Sequence, residues 1–105
     1  MSLDSLQITA SAHHRRQFGD PPLAIRGLKV GEEAGEIQAA IVRHLSRRDG
    51  RSWLPEIEAE IGDTMTALLM LADSLGLSLQ ELTEQAVAKF LAREWTVDKF
   101  EEEAP

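Results

Sequence analysis

Residues that break helices fall into three clusters, and these clusters limit what the chain can fold into. They lie at 19–22, 46–52 and 74–78, and helix-forming residues dominate the stretches between them. No stretch shows the alternation of a strand. The pattern predicts four helices, at about 3–18, 22–46, 54–75 and 78–95. We therefore expect an all-α protein, a helical bundle in one domain that covers residues 1–105.

Apolar residues recur at three- and four-residue spacing along three of the predicted helices, which is typical of a buried helix face. The third segment carries the clearest stripe, formed by Leu54, Ile57, Ile61, Met65, Leu68, Ala72 and Leu75. Similar stripes in the second and fourth segments consist of Val30, Ala34, Ile37, Ile41 and Leu45, and of Leu79, Leu82, Ala86 and Phe90. We interpret all three stripes as core.

The first segment is polar and only weakly periodic. Its inward-facing candidates are Leu3, Leu6, Ala10 and Phe18. A helix without a continuous apolar face has little to bury against its own chain, so we expect this one to pack on a partner subunit. We interpret its polar run at 13–16 as surface.

The charge balance narrows the class of partner. The chain has 11 Lys plus Arg against 18 Asp plus Glu, a formal net charge of −7, which argues against nucleic acid as the main partner. A polyanionic substrate would need bound cations. Because there is no cysteine and no apolar run long enough to span a bilayer, we expect a soluble, cytoplasmic protein without membrane attachment. The acidic residues at 101–103 predict a solvated tail at 96–105.

Two of the predicted helices each carry an acidic face. On the second helix, Glu32, Glu33 and Glu36 fall within about a quarter-turn, at about 100° per residue. The third helix carries a second acidic face, formed by Glu56, Glu60 and Asp63.

Small apolar residues continue both acidic strips, which indicates that the two strips pack against each other. They are Ile25, Ala39 and Ala40 on the second helix and Ala67 and Leu71 on the third. Such packing would bring four or five carboxylates into one cleft, where exclusion of solvent makes like-charge repulsion costly. A cation must then lie between them, and oxygen ligands without histidine or cysteine favour Mg²⁺ or Mn²⁺.

An acidic cluster on a helix is usually just a solvated face, and for a single ExxE or ExxD pattern that interpretation prevails. Here both clusters adjoin apolar stripes. Gly31, Gly35 and Gly62 lie beside them, although glycine in a helix interior costs about 1 kcal/mol relative to alanine. Residues kept small at that cost predict close packing or room for a ligand.

The order Glu32-Glu33-x-x-Glu36, then 23 residues, then Glu60-x-x-Asp63 resembles the EExxE...ExxD signature of the MazG-like, all-α nucleotide pyrophosphohydrolase superfamily. The resemblance covers about residues 22–93 and implies a four-helix-bundle-like MazG fold. It also implies that Glu33, Glu36, Glu60 and Asp63 are metal ligands, and that Glu32 holds a second ion or orients water.

The same resemblance implies a reaction. A nucleoside triphosphate would be cleaved between its α and β phosphates, giving the monophosphate and pyrophosphate, with Mg²⁺ or Mn²⁺ as cofactor. Glu32 or Glu33 would accept the proton of the attacking water. The resemblance further implies a homodimer or homotetramer, and a domain of this size gains stability from association.

Four further residues are candidates for binding the substrate. Lys89 and Arg93, four apart on the fourth helix, resemble the basic pair that contacts the substrate phosphates in this superfamily, although a solvated edge explains them equally well. The asparagine often found in that helix is absent. Trp53 could stack on the base or, equally, start the third helix. Lys29, one turn before Glu33, could pair with it or reach a phosphate.

Two alternatives remain open. The stretch 29–34 also resembles the motif of phosphoribosyl-ATP pyrophosphohydrolase, although residues 21–26 lack the Ser-Tyr-Thr that usually precedes that motif. The other alternative is a non-catalytic helical protein that binds a metal or a partner helix. The intact set of Glu33, Glu36, Glu60 and Asp63 favours catalysis over it.

Overall fold

Four helices make up the part of the chain that the structure, a computed structural model, describes, which is residues 1–93. They are α1 (Leu3–Phe18), α2 (Leu23–Leu45), α3 (Leu54–Ser74) and α4 (Leu79–Ala92). Within these residues there is no strand, so the all-α prediction is confirmed. Helix α4 ends at Ala92, whereas the prediction extended it to residue 95. Residues 94 and 95, like the predicted acidic tail at 96–105, lie outside the described residues.

Local capping explains where α1 and α4 begin and end. The side chains of Ser2 and Ser78 each accept a hydrogen bond from the amide three residues later, which satisfies a free donor at each helix start. Gly19 ends α1 with φ 75°, and Gly76 turns the chain between α3 and α4 with φ 68°. Both are left-handed backbone conformations that favour glycine. None of the four helices combines the length and the hydropathy that crossing a bilayer requires.

Helix α3 is central and contacts each of the other three helices. The Trp53 amide at its start donates to His44 Nδ1 near the end of α2 at 3.1 Å, so the two helices run antiparallel across a short connection. Ala40 of α2 and Ala67 of α3 are each 2% exposed. The predicted packing of the two strips of acidic and small apolar residues is confirmed at Ala40 and Ala67, whereas Ile25, which we placed on the same strip, is 51% exposed.

Hydrogen bonds, rather than an apolar stripe, fix α1 to the rest of the chain. Gln7 is buried, its Nε2 donates to the Leu77 carbonyl at 2.6 Å, and its Oε1 accepts from the Leu79 amide at 2.9 Å. The Ser78 hydroxyl donates to Asp4 Oδ1 at 2.6 Å. These contacts attach α1 to the turn between α3 and α4.

Helix α1 packs on α3 and α4 of its own chain, which its weak apolar pattern did not predict. The expectation that it packs on a partner subunit stays a prediction. Its buried residues are Gln7 and Ser11, while Phe18 is 76% and Leu6 40% exposed. Because buried hydrogen bonds to a turn can hold a helix, the weak apolar pattern did not predict where α1 packs.

Most residues of the apolar stripes are not buried. Among the stripe residues, all of which lie in the described part of the chain, only Ala72 is buried. Ile61 is 50%, Leu45 78% and Phe90 60% exposed. The prediction that these stripes form the core is therefore wrong for a single chain. The reason is that α2 and α3 meet through their acidic strips and leave the apolar stripes about a quarter-turn away.

We expect Gln7→Ala to lower the free energy of unfolding by about 2 kcal/mol, because it leaves the Leu77 carbonyl and the Leu79 amide without their partner. Urea denaturation measures the loss. Gln17→Ala is the matched control, because Gln17 is an exposed residue of the same helix, and it should change stability by less than about 0.5 kcal/mol. Equal losses in the two variants would show that the Gln7 hydrogen bonds do not hold α1.

Candidate metal centre

Three glutamates from two helices converge between α2 and α3. Glu33, Glu36 and Glu60 each offer a carboxylate oxygen, and these three oxygens all lie within 4.8 Å of one another. Glu33 and Glu36 are neighbours on one face of α2, and the packing of α3 places Glu60 opposite them. Glu33 is buried, Glu60 half-buried and Glu36 exposed, so this three-glutamate cluster is open to solvent on one side.

Lys29 neutralises part of the cluster. Its Nζ lies 2.8 Å from Glu33 Oε1 and 3.7 Å from Glu32 Oε1. The hydrogen bond from Lys29 holds the pKa of Glu33 below its usual value, and the same contact raises the pKa of Lys29. Glu33 is therefore ionised at neutral pH. Its second oxygen, Oε2, is buried without a hydrogen-bond partner among residues 1–93.

The pKa of Glu60 is raised by its surroundings in the cluster. A hydrogen bond with Glu36 raises the pKa of Glu60 to about 7, and burial and the negative charges of Glu36, Glu33 and Asp63 add to the shift. Part of the Glu60 population therefore keeps its proton at neutral pH. Glu60 Oε2 is also buried without a partner in the described part of the chain.

These groups fit a divalent metal ion. Carboxylate oxygens without thiolate or imidazole favour a hard cation such as Mg²⁺ or Mn²⁺. A cation would supply a partner for the two buried oxygens, Glu33 Oε2 and Glu60 Oε2, and would displace the proton of Glu60. Three protein carboxylates leave coordination positions for water or phosphate oxygens, as a catalytic ion requires.

A family comparison places this cluster in a known context. Residues 27–97 match the model of the MazG nucleotide pyrophosphohydrolase domain, which is more than half of the chain and includes all three glutamates. The chain belongs to the MazG family. Comparisons with curated proteins and with solved structures gave no match. The resemblance seen in the EExxE...ExxD pattern is confirmed, and helix α1 precedes the matched MazG segment.

Two acidic residues predicted for the MazG site lie at the margin of the cluster. Asp63 is exposed one turn after Glu60 and outside the three-glutamate cluster, although its charge acts on Glu60. Glu32 is exposed and faces the Lys29 ammonium. The role of Asp63 as a metal ligand, and that of Glu32 in holding a second ion or water, stay predictions.

Trp53 starts α3 and lies beside two arginines. It occupies the N-cap position of the helix. The guanidinium carbons of Arg51 and Arg43 lie 4.0 and 5.4 Å from its ring centroid, a cation–π arrangement. Arg51 also pairs with Glu56. The N-cap position of Trp53 agrees with the interpretation that it starts the helix, although its side chain makes no capping hydrogen bond. Its stacking on a base stays a prediction.

The predicted basic pair lies on a different part of the MazG domain. Lys89 is on α4 and Arg93 follows that helix, and both are exposed. Within residues 1–93, α4 contacts α1 and α3 but not α2. The three-glutamate cluster is built from α2 and α3, so the structure of one chain does not join the pair to the cluster. Contact of Lys89 and Arg93 with the substrate phosphates stays a prediction.

Sequence reasoning missed two residues near the cluster. Arg26 of α2 is buried and His14 of α1 is half-buried, and both line a cavity together with Lys29. The interpretation of His14 as surface is therefore wrong. Arg26 precedes Lys29 by three residues and Glu33 by seven, so all three lie on one strip of α2. That spacing is the signal that could have identified Arg26.

The helix glycines beside the acidic faces do not serve close packing within the chain. A Cβ at Gly31, Gly35 or Gly62 would meet no heavy atom within 4 Å among the described residues. Close packing, one of the two expected reasons for these glycines, is therefore wrong for the single chain. The other expected reason, room for a ligand beside these glycines, stays a prediction.

The raised pKa of Glu60 predicts how pH changes the stability of the metal-free protein. A carboxyl whose pKa rises from 4.5 to about 7 on folding stabilises the fold fully below the lower value and loses that contribution as pH rises through the higher one. In EDTA, the melting temperature should therefore fall between about pH 5 and about pH 8.

Glu60→Gln should flatten this fall, because the amide does not titrate. Glu58→Gln should leave it unchanged, because Glu58 is an exposed neighbour on α3 outside the cluster. If the wild-type fall persists in Glu60→Gln, other groups cause the pH dependence.

Proposed function

We propose that the chain hydrolyses a nucleoside triphosphate to the monophosphate and pyrophosphate, using Mg²⁺ or Mn²⁺ held by Glu33, Glu36, Glu60 and Asp63. The observation that supports this most is the three-glutamate cluster, which lies within the segment that matches the MazG pyrophosphohydrolase domain. An acidic chain with a net charge of −7 repels a triphosphate unless cations compensate, and a metal at this cluster provides them.

The metal, when bound, neutralises the substrate phosphates and lowers the pKa of water. The protein contributes position. Glu33 and Glu36 from α2 and Glu60 from α3 fix one point in space from two helices, so the packing of α2 on α3 sets where the phosphates lie. Lys29 Nζ, 2.8 Å from Glu33 Oε1, is close enough to the cluster to exchange that partner for a phosphate oxygen.

The proton of the attacking water needs an acceptor. The water oxygen bonds to the α phosphorus while the bond from that phosphorus to the bridging oxygen breaks, and pyrophosphate leaves. The hydrogen bond from Lys29 lowers the pKa of Glu33 and makes it a weaker base. Glu32 is exposed next to the cluster, and its Oε1 lies 3.7 Å from Lys29 Nζ, compared with 2.8 Å for Glu33 Oε1. Glu32 is therefore the better candidate for the base.

An assay of pyrophosphate release tests the reaction. The panel consists of the nucleoside triphosphates and phosphoribosyl-ATP, with Mg²⁺, with Mn²⁺ and with EDTA. We expect turnover only with metal, and Glu36→Gln should lower it by more than about 100-fold, because even residues that only orient metal ligands contribute about 10- to 100-fold. Asp63→Asn tests the fourth predicted ligand in the same way.

Glu58→Gln is the matched control, because it makes the same chemical change on an exposed position outside the cluster. It should keep wild-type activity. Turnover of phosphoribosyl-ATP alone would replace the general triphosphate activity with that of a phosphoribosyl-ATP pyrophosphohydrolase. Absence of turnover on the whole panel, with metal binding retained, would favour a binding protein.

We also propose that copies of the chain associate through an apolar face next to the cluster. Its exposed members lie on α2 and α3 near their connection, and they are Ile41, Leu45, Leu54, Ile61 and Met65. Each stripe is turned about a quarter-turn from the face by which α2 and α3 meet, and because the helices are antiparallel both stripes open to the same side. A continuous apolar face of this kind is typical of an interface.

Ile61→Glu should shift the protein from oligomer to monomer in sedimentation, because it places a charge in the centre of this face. Ala59→Glu adds the same charge on the opposite side of α3, where Ala59 is exposed, and should leave the oligomer intact. A wild-type protein that is monomeric and active would rule out this interface as part of the function.

A further inference from the structure

A cavity is lined by residues of α1, α2 and α3 and by Pro21. Its volume is about 220 Å³, below the roughly 300 Å³ at which sites for whole drug-sized ligands begin, so it suits one part of a nucleotide. Four of its lining residues are apolar and three can carry charge. They are Pro21, Ile25, Ala67 and Met70, and His14, Arg26 and Lys29.

Arg26 is an unusual residue to bury at this position. It is 6% exposed, and its Nε has no hydrogen-bond partner among residues 1–93. His14 Nδ1 is also buried without a partner in that part of the chain. Burying a guanidinium donor without an acceptor is costly, and such groups usually mark a site where a ligand or water completes the hydrogen bonds.

The cavity lies next to the three-glutamate cluster along α2. Lys29 lines the cavity and also contacts Glu33 at 2.8 Å. Arg26 precedes Glu33 by seven residues, which is about 10 Å along the helix axis at about 1.5 Å per residue. A nucleotide whose phosphates lie at the cluster can therefore extend its base toward Arg26.

The mostly apolar walls fit a flat ring better than a phosphate group, which needs several polar donors. Arginine donors pair best with the adjacent O6 and N7 acceptors of a 6-oxopurine. Adenine has an amino donor in place of O6, and that donor would face the Arg26 guanidinium. A 6-oxopurine would therefore complete the hydrogen bonds of Arg26, whereas adenine would set a donor against a donor.

We propose that this cavity takes the base of the substrate and that Arg26, with His14, selects a 6-oxopurine such as hypoxanthine or guanine over adenine. This inference rests on the proposed triphosphate hydrolysis. Arg26 and His14 both precede residues 27–97, the segment that matches the MazG domain, while Lys29, Ala67 and Met70 lie within it.

Calorimetric titration with the α,β-methylene analogues of inosine and adenosine triphosphate, in Mg²⁺, tests the proposal. These analogues resist cleavage and differ in the group at C6 of the purine. Wild type should bind the inosine analogue at least about fivefold more tightly, the lower end for a two-point arginine contact. Arg26→Met keeps the length of the side chain but removes its donors, and it should reduce the ratio to about one while Mg²⁺ binding without nucleotide is unchanged.

Arg16→Met is the matched control, because Arg16 is exposed on α1 and does not line the cavity. It should keep the wild-type ratio. If Arg26→Met does not fold, as judged by circular dichroism, Arg26→Gln replaces it, and the wild-type ratio is an independent test. Equal binding of the two analogues by wild type, or a ratio unchanged in the Arg26 variant, would overturn the proposal.

The outcomes separate this proposal from the proposed function. Turnover of triphosphates without preference between inosine and adenosine would leave the hydrolysis standing and remove the selection. Preferential binding of the inosine analogue without turnover of any triphosphate would leave the base site standing and remove the hydrolysis.

Discussion

Three carboxylates held in a small space between two helices are the constraint on which the other features depend. Lys29 compensates Glu33 at 2.8 Å, but the hydrogen bond with Glu36, burial and the neighbouring negative charges raise the pKa of Glu60 to about 7. The helices can approach closely enough for this because Ala40 and Ala67 are small and fully packed. Because α2 and α3 pack against each other through their acidic strips, neither helix covers the apolar stripe of the other. The three-glutamate cluster and the exposed apolar face thus have one cause.

The number of helices and the meeting of the acidic strips could be predicted from the sequence, because both follow from local signals. Helix-breaking residues such as Gly19 and Gly76 end or turn the chain at their own positions. The three-residue spacing of Glu33 and Glu36 places both side chains on the same face of one helix. The apolar stripes did not predict the core, because periodicity gives the direction of a face but not the neighbour that covers it. Helix α1 was misjudged because Gln7 bonds to backbone groups about 70 residues away in sequence, which no periodic pattern records.

The candidate site was predictable to a similar extent. Glu33, Glu36 and Glu60 belong to the EExxE...ExxD pattern, and the structure brings their carboxylates together. Asp63 has the same three-residue spacing from Glu60 that Glu36 has from Glu33, yet it lies outside the cluster. The spacing of residues in the sequence does not specify the side-chain rotamers or the crossing angle of the helices, and these decide that Asp63 lies outside the cluster. Arg26 was not predicted as a site residue because it is one charged residue in an apolar stretch. Only its burial in the folded chain distinguishes it from a surface arginine.

The three-glutamate cluster and the neighbouring cavity are consequences of one antiparallel register. On α2 the cavity residue Arg26 precedes the cluster residue Glu33 by seven positions, and on α3 the cluster residue Glu60 precedes the cavity residue Ala67 by seven positions. Seven residues are about two helical turns, so both helices pass from cavity to cluster over the same length in opposite directions. A shift of α3 along α2 would therefore displace both parts together. The separation of about 10 Å between the three-glutamate cluster and Arg26 in the cavity is thus fixed by helix packing.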